Sequence, residues 1–102
     1  MIKLIEHNLD AIIGLFDAHQ VSRAYVFGSA LTSHFNENSD IDILVTFKDS
    51  IQLMDYSDNY FNLKMKLEDL LKRQVDLVSS KSLKNPILKE SIDKSKVNLY
   101  AA

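Results

Sequence analysis

The chain has 102 residues, of which 46% are hydrophobic and 25% are charged, and it contains no cysteine. These proportions predict one globular domain with a single core, spanning residues 1–102. The lack of cysteine excludes a disulfide framework and a zinc–thiolate site, and a net charge of −2 argues against direct nucleic-acid binding. Because neither a membrane-spanning apolar run nor a signal-peptide pattern occurs, we expect a cytoplasmic protein with no membrane contact.

The first predicted elements are a helix over residues 2–19 and a strand over residues 24–27. Apolar residues recur in the helix at steps of three and four, a pattern typical of a helix that packs on a sheet. Arg23 directly precedes the strand. We interpret it as a surface residue, with a phosphate contact as the alternative.

The strand ends in a turn that contains Gly28 and Ser29. Glycine lets the backbone adopt unusual torsions and approach a ligand closely. Exposed N–H groups at such a turn can bind an anion, and a serine hydroxyl adds one more donor. Gly28 and Ser29 therefore predict a phosphate-binding turn.

The next predicted strand, Ile41–Phe47, is preceded by Asp40 and contains Asp42. Side chains alternate along a strand, so the two carboxylates project from the same side. They repel each other unless a cation lies between them, and Mg²⁺ prefers oxygen ligands that include carboxylates and substrate phosphates. Taken singly, Asp40 would be a turn cap and Asp42 a carboxylate hydrogen-bonded at a strand end; together with the glycine turn they predict a metal–nucleotide site.

A long helix over residues 51–72 is predicted next, and then a strand over residues 74–78 that carries Asp76. The helix stripe includes Leu53 and the aromatic residues Tyr56, Tyr60 and Phe61, which we interpret as core rather than as base-stacking residues. An acidic residue in a short interior strand is costly unless it is paired or bound to a cation. Asp76 is therefore predicted to be a third site carboxylate, with a strand-end role as the alternative.

The chain closes with a helix that Asn85 caps and Pro86 begins, followed by a short strand or packed tail over residues 97–100. The complete order is helix, strand, strand, helix, strand, helix and tail. This order is typical of an α+β domain. We therefore expect a small mixed β-sheet flanked by helices.

Gly-Ser, ten residues and then Asp-x-Asp resembles the signature of the DNA polymerase β-like nucleotidyltransferases. The small size is similar to that of the minimal nucleotidyltransferases, the antitoxin half of HEPN/MNT toxin–antitoxin modules. The resemblance implies the polymerase β-like fold, ATP as substrate and two Mg²⁺ ions held by the catalytic residues Asp40, Asp42 and Asp76. It further implies that Gly28 and Ser29 bind the nucleotide phosphates.

The resemblance also implies protein adenylyltransferase activity, in which AMP passes from ATP to a tyrosine hydroxyl of a HEPN ribonuclease toxin and silences it. The chain departs from the family where arginines and a glycine often follow Gly-Ser, because it has Ala30, Thr32 and Ser33 there. One alternative is therefore a catalytically weak antitoxin that masks its partner sterically. Another is a transferase for a small molecule such as an aminoglycoside. Base preference and homo-oligomerisation stay open.

Overall fold

The computed structural model describes residues 2–32, 35–36 and 38–102, apart from the side chain of Ser29. Within these residues a four-stranded sheet is combined with four α-helices and two short 3₁₀ turns. In chain order the elements are α1 Lys3–His7, α2 Leu9–Ala18, β1 Val21–Phe27, β2 Ile41–Phe47, α3 Leu53–Leu71, β3 Val75–Ser79, α4 Pro86–Ser95 and β4 Val97–Ala101, with the 3₁₀ turns at Gly28–Leu31 and Ser80–Ser82.

The sheet has the strand order β3-β2-β1-β4. β1 is antiparallel to both β2 and β4, whereas β2 and β3 are parallel. A parallel pair needs a long crossover connection, which α3 supplies between β2 and β3. The sheet is thus small and mixed, which confirms the predicted fold class. β2 is central, as predicted, and β3 lies at an edge.

One face of the sheet forms the main core. Its strands contribute alternate apolar residues, and α2 and α3 contribute their apolar stripes. Burying one such side chain typically stabilises the fold by about 1.5–3 kcal/mol. The fully buried members are Ile5, Ile12, Phe16, Val21, Ala24, Val26, Ile41, Ile43, Val45, Leu63 and Leu67. The core therefore holds both helices against the same face of β1 and β2.

The opposite face of the sheet is partly covered by α4. Leu44 of β2 is buried there. It lines a cavity together with Lys89 of α4 and with Lys96, the residue that follows α4. Ile92 is the buried residue of α4. Within the described part of the chain, no helix combines the length and the apolar character needed to cross a membrane.

The predicted helix over residues 2–19 is wrong in one respect, because it is interrupted at Asn8. The Asn8 side-chain amide donates a hydrogen bond to the Leu4 carbonyl (2.8 Å), and its backbone N–H donates to the Ile5 carbonyl (3.2 Å). Such local hydrogen bonds compete with the regular helical pattern. α1 and α2 are therefore separate helices.

The long helix is confirmed, although it begins at Leu53 and ends at Leu71. Leu53 and Phe61 are exposed, so their assignment to the core was wrong. Tyr56 and Tyr60 do pack against the core. Their hydroxyls hydrogen-bond with the Ser79 hydroxyl and the Leu77 carbonyl of β3, respectively.

The last helix begins as predicted. Asn85 Oδ1 accepts hydrogen bonds from the backbone N–H groups of Ile87 (2.9 Å) and Leu88 (3.3 Å), and Pro86 is the first helical residue. An asparagine cap followed by proline satisfies N–H groups that the helix itself leaves unbonded. The tail after α4 is the edge strand β4.

Candidate active site

The turn after β1 places Gly28 directly against Asp42. Phe27 pairs with Asp42 across the antiparallel β1–β2 ladder, so Gly28 begins the turn beside that carboxylate. Gly28 has φ of +72°, a conformation that glycine adopts without steric cost. A Cβ built at this position would overlap Asp42 Oδ2 and lie 3.1 Å from Asp42 Cγ. Glycine is therefore required both by the turn and by the close approach to the carboxylate.

β3 places Asp76 on the strand next to Asp42. The two residues are register partners in the parallel β2–β3 pair, and neighbouring strands lie about 4.7–4.9 Å apart. Residues on either side of Asp76, Val75 and Leu77, are buried in the core. Because side chains alternate along a strand, Asp42 and Asp76 both project from the opposite face.

Asp40 completes the acidic end of the sheet. It directly precedes β2 and lines a cavity of about 470 Å³ with Asp76 and Gln74. The structure thus brings the three predicted carboxylates to one end of two neighbouring strands. Across residues 2–32, 35–36 and 38–102, no group of three or more Asp, Glu, His and Cys side chains forms a ready metal-ligand set.

The argument that Asp76 is costly in an interior strand was wrong. β3 is an edge strand, and Asp76 is exposed rather than buried. Asp40 is exposed as well, whereas Asp42 is half-buried. The Asp76 carboxylate is therefore accessible from solvent at the edge of the sheet.

The predicted phosphate residues lie at the same end of the sheet. Gly28 and Ser29 open the 3₁₀ turn Gly28–Leu31, in which Ala30 is buried. The side chain of Ser29 and the whole of Ser33 and His34 lie outside the described residues. Phosphate binding by Gly28 and Ser29 therefore stays a prediction.

Arg73 fixes the segment that leads into Asp40, and sequence reasoning did not identify it. Its guanidinium donates hydrogen bonds to the carbonyls of Asn36 (2.6 Å) and Ser39 (3.4 Å). The guanidinium carbon also lies 4.7 Å from the centroid of the Phe35 ring, a cation–π contact. The position of Arg73 three residues before Asp76 was the one available signal. Arg73 thus ties the β1–β2 loop to the start of β3.

Glu68 of α3 holds the first residue of β3. Its carboxylate accepts a hydrogen bond from the Val75 N–H (3.0 Å) and pairs with Lys64 (3.3 Å), and both side chains line the cavity that contains Asp76. The Val75 hydrogen bond lowers the pKa of Glu68, and Lys64 lowers it further against the opposing effect of burial. The lowered pKa favours the ionised form of Glu68 at neutral pH, and its carboxylate holds the start of the strand that carries Asp76.

This geometry agrees with comparisons to known proteins. The family model described as polymerase beta, nucleotidyltransferase matches residues 10–102. The chain belongs to this family. A Methanocaldococcus jannaschii protein to which protein adenylyltransferase activity is ascribed is 40% identical over 86 residues, which cover 80% of this chain and 88% of that protein.

Solved structures support the same assignment to the minimal nucleotidyltransferases. One such protein superposes with a TM-score of 0.74 at 33% identity, covering 94% of this chain and 95% of its own. A chain of a toxin–antitoxin complex with AMP-PNP gives a TM-score of 0.72 at 28% identity and covers 93% of this chain and 74% of its own. A third similar chain comes from the complex of the tri-AMPylated Shewanella oneidensis HEPN toxin with the MNT antitoxin. It gives a TM-score of 0.67 at 25% identity and covers 95% of this chain and 72% of its own.

Proposed function

We propose that this minimal nucleotidyltransferase transfers AMP from ATP to a tyrosine hydroxyl of a HEPN-type toxin and thereby acts as an antitoxin. The observation that carries the proposal is the pairing of Asp42 with Asp76 beside the Gly28 turn. The similar solved chains support the reaction and the partner, because they come from an AMP-PNP complex and from an AMPylated HEPN toxin with its antitoxin.

The acidic end of the sheet fits Mg²⁺ by its donor set, since carboxylate oxygens are the ligands that this ion prefers. Asp40, Asp42 and Asp76 would hold two ions, in keeping with the resemblance. When bound, Mg²⁺ neutralises charge on the phosphates and favours deprotonation of the attacking hydroxyl. The exposure of Asp40 and Asp76 leaves room for both the nucleotide and the acceptor.

The reaction requires an in-line exchange at the α-phosphorus of ATP. The acceptor oxygen forms a bond to this phosphorus, while the bond from the phosphorus to the oxygen that bridges to the β-phosphate breaks and pyrophosphate leaves. Asp76 accepts the proton of the acceptor hydroxyl, a general-base role typically worth about 10²–10⁴ in rate. The Gly28 backbone and Ser29 hold the outgoing phosphates, so that the leaving group is oriented before the bond breaks.

Steric masking of the toxin is a second candidate function. It is favoured by one observation: residues 30–39, between Gly-Ser and Asp40, contain no lysine or arginine. Loop cations that contact the triphosphate are common in the resembled family, so their absence suits a weakly catalytic antitoxin. The two functions differ in whether neutralisation of the toxin requires the carboxylates.

Intact-mass measurement separates the two functions. Wild type incubated with Mg²⁺-ATP and its cognate toxin should add increments of about 329 Da, one AMP residue each, to the toxin. Asp40→Ala/Asp42→Ala should add none and should fail to neutralise the toxin. Asp10→Ala/Asp49→Ala removes two exposed carboxylates elsewhere and should behave as wild type. No mass increment from wild type, together with full neutralisation by the Asp40→Ala/Asp42→Ala variant, would establish steric masking instead.

A further inference from the structure

The backbone on both sides of Asp40 is held by two consecutive residues, Arg73 and Gln74. The Arg73 guanidinium donates a hydrogen bond to the Ser39 carbonyl (3.4 Å). The Gln74 carbonyl accepts one from the Ile41 N–H (3.0 Å). These two groups belong to the peptide units that flank Asp40. The position of the Asp40 backbone therefore depends on the segment that leads into β3.

The residues just before Asp40 are also joined by local hydrogen bonds. The Asn36 carbonyl accepts from the Ser39 N–H (3.0 Å), and the Ser39 hydroxyl accepts from the Asn36 N–H (3.1 Å). The Asn36 side-chain carbonyl accepts from the Asn38 N–H (2.8 Å). Arg73 donates to the same Asn36 backbone carbonyl (2.6 Å). Arg73 therefore holds a locally hydrogen-bonded segment rather than one carbonyl alone.

The half-buried Arg73 side chain uses both its donors and its plane. Its Nη1 and Nη2 atoms donate to different carbonyls, and its guanidinium carbon lies 4.7 Å from the centroid of the Phe35 ring. A lysine ammonium cannot reproduce this arrangement, because it is a compact charge without a planar fork. Gln74 lines the cavity that contains Asp40 and Asp76, whereas Arg73 does not. The contacts of Arg73 thus go to the backbone and to an aromatic ring.

The same segment carries Asp76 towards Asp40. Asp76 follows Gln74 by two residues, which span about 7 Å in a strand, and Asp40 and Asp76 line one cavity. Mg²⁺ demands near-octahedral coordination with oxygen distances of about 2.0–2.1 Å. Carboxylates that share such ions must therefore keep a fixed separation. Arg73 and Gln74 restrict this separation, because they join the backbone around Asp40 to the residues just before Asp76.

We infer that Arg73 is a positioning residue of the metal–nucleotide site, which holds Asp40 at the separation from Asp76 that Mg²⁺ binding requires. The inference rests on the proposed function and adds to it a residue that acts through the backbone, without contact to metal or phosphate. Groups that orient metal ligands from outside the coordination shell typically contribute about 10–100-fold to metal affinity. Loss of the Arg73 contacts should therefore raise the Mg²⁺ concentration that nucleotide binding requires.

Calorimetry with AMP-PNP over a series of Mg²⁺ concentrations tests the inference. In Arg73→Lys the Mg²⁺ concentration for half-maximal binding should rise at least about tenfold, while the affinity for AMP-PNP at saturating Mg²⁺ should equal that of wild type. Lys72→Gln removes the neighbouring exposed charge and should keep the wild-type Mg²⁺ dependence. A phosphate contact by Arg73 would give a different result, because its loss would weaken AMP-PNP binding at every Mg²⁺ concentration.

Amide hydrogen exchange in the metal-free protein, followed by NMR, gives a readout that needs no ligand. Arg73→Lys should speed exchange of the Ser39 amide, because the Asn36 carbonyl that accepts its hydrogen bond is no longer held by the guanidinium. The Ile43 amide, inside β2, should keep its wild-type rate and so report an intact sheet. Lys72→Gln should leave both rates unchanged.

Phe35→Leu keeps the test decisive if Arg73→Lys does not fold. It removes the cation–π contact but keeps an apolar side chain, and it should raise the Mg²⁺ concentration for half-maximal binding about two- to fivefold. Unchanged Mg²⁺ dependence, unchanged Ser39 exchange, or an affinity loss that persists at saturating Mg²⁺ would overturn the inference and leave the proposed function in place. Wild type without Mg²⁺-dependent AMP-PNP binding would overturn both.

Discussion

The two faces of the sheet differ in what their residues contribute. On one face Ile41, Ile43 and Val45 of β2 are fully buried beneath α2 and α3. On the other face Asp42 and Thr46 are only half-buried, and they alternate with those apolar residues along the same strand. One strand therefore supplies the centre of the core and, at neighbouring positions, one of the carboxylates that we propose to be catalytic.

Because the two faces contribute different residues, we expect stability and the proposed activity to respond to different substitutions. The apolar face supplies the burial that opposes the conformational entropy of the chain. The polar face can carry Asp42 and Asp76 side by side because neither side chain has to enter the core. Substitutions on the apolar face should lower stability, and substitutions of the carboxylates should lower activity while the fold survives.

Asp76→Asn gives the largest expected effect on activity. Asparagine preserves shape but removes the charge needed to accept a proton, so AMP transfer should fall at least about a hundredfold. The melting temperature should stay unchanged or rise, because one source of carboxylate repulsion is removed. Phe16→Ala, on the apolar face, is the contrasting variant and should cost about 3–5 kcal/mol of stability. If the Asp76→Asn variant unfolds, Asp76 has a structural role. If it transfers AMP at the wild-type rate, Asp76 is not part of the active site.

Replacing Glu68 should have a smaller effect, on stability. Its helix α3 packs on the core, while its carboxylate accepts a hydrogen bond from Val75 at the start of β3. Its pKa is lowered from the ordinary value of 4.5, so the stability that it contributes is present above that pH and is lost as the pH falls through the folded-state pKa. The free energies of unfolding in urea of wild type and Glu68→Gln should differ at neutral pH, and the difference should shrink as the pH falls below the ordinary value of 4.5 towards the folded-state pKa.

The same unfolding series with Asp69→Asn, at the exposed neighbouring position, provides the control for removing one charge from α3. It should show no comparable convergence at low pH. A difference between wild type and Glu68→Gln that persists unchanged through acid pH would mean that the Val75 hydrogen bond does not depend on the ionised carboxylate.

Local sequence signals predicted the parts of the fold that depend on neighbouring residues. The bounds of β2 follow from its run of apolar and β-branched residues, and the start of α4 follows from the capping chemistry of Asn85. The turn at Gly28 follows from the backbone freedom of glycine. The break at Asn8 was missed because a single side-chain hydrogen bond interrupts a regular apolar stripe. Each of these features depends on residues that are close together in the sequence, so each could be predicted or missed without affecting the rest of the fold.

The missed parts of the site depend on contacts between distant residues. The edge position of β3 follows from how the strands associate, which a five-residue apolar segment does not reveal. Arg73 reaches Asn36 and Ser39 across 37 and 34 residues of sequence. The spacing of Gly28, Ser29, Asp40 and Asp42 was enough to predict candidate site residues, whereas the contacts of Arg73 and Glu68 that position the neighbouring segments required the tertiary structure.

We propose that the polar face binds a Mg²⁺–nucleotide through its carboxylates, and the Asp42→Asn variant shows whether this binding depends on the Asp42 charge. Calorimetric titration with AMP-PNP should show binding by wild type that requires Mg²⁺, because the carboxylates and the phosphates share the ion. Asp42→Asn should bind far more weakly and should lose the thermal stabilisation that the ligand gives wild type. Asp49→Asn, an exposed position beyond the other end of β2, should bind as wild type does. Equal binding of Mg²⁺–AMP-PNP by wild type and Asp42→Asn would mean that the polar face does not hold the metal–nucleotide through this carboxylate.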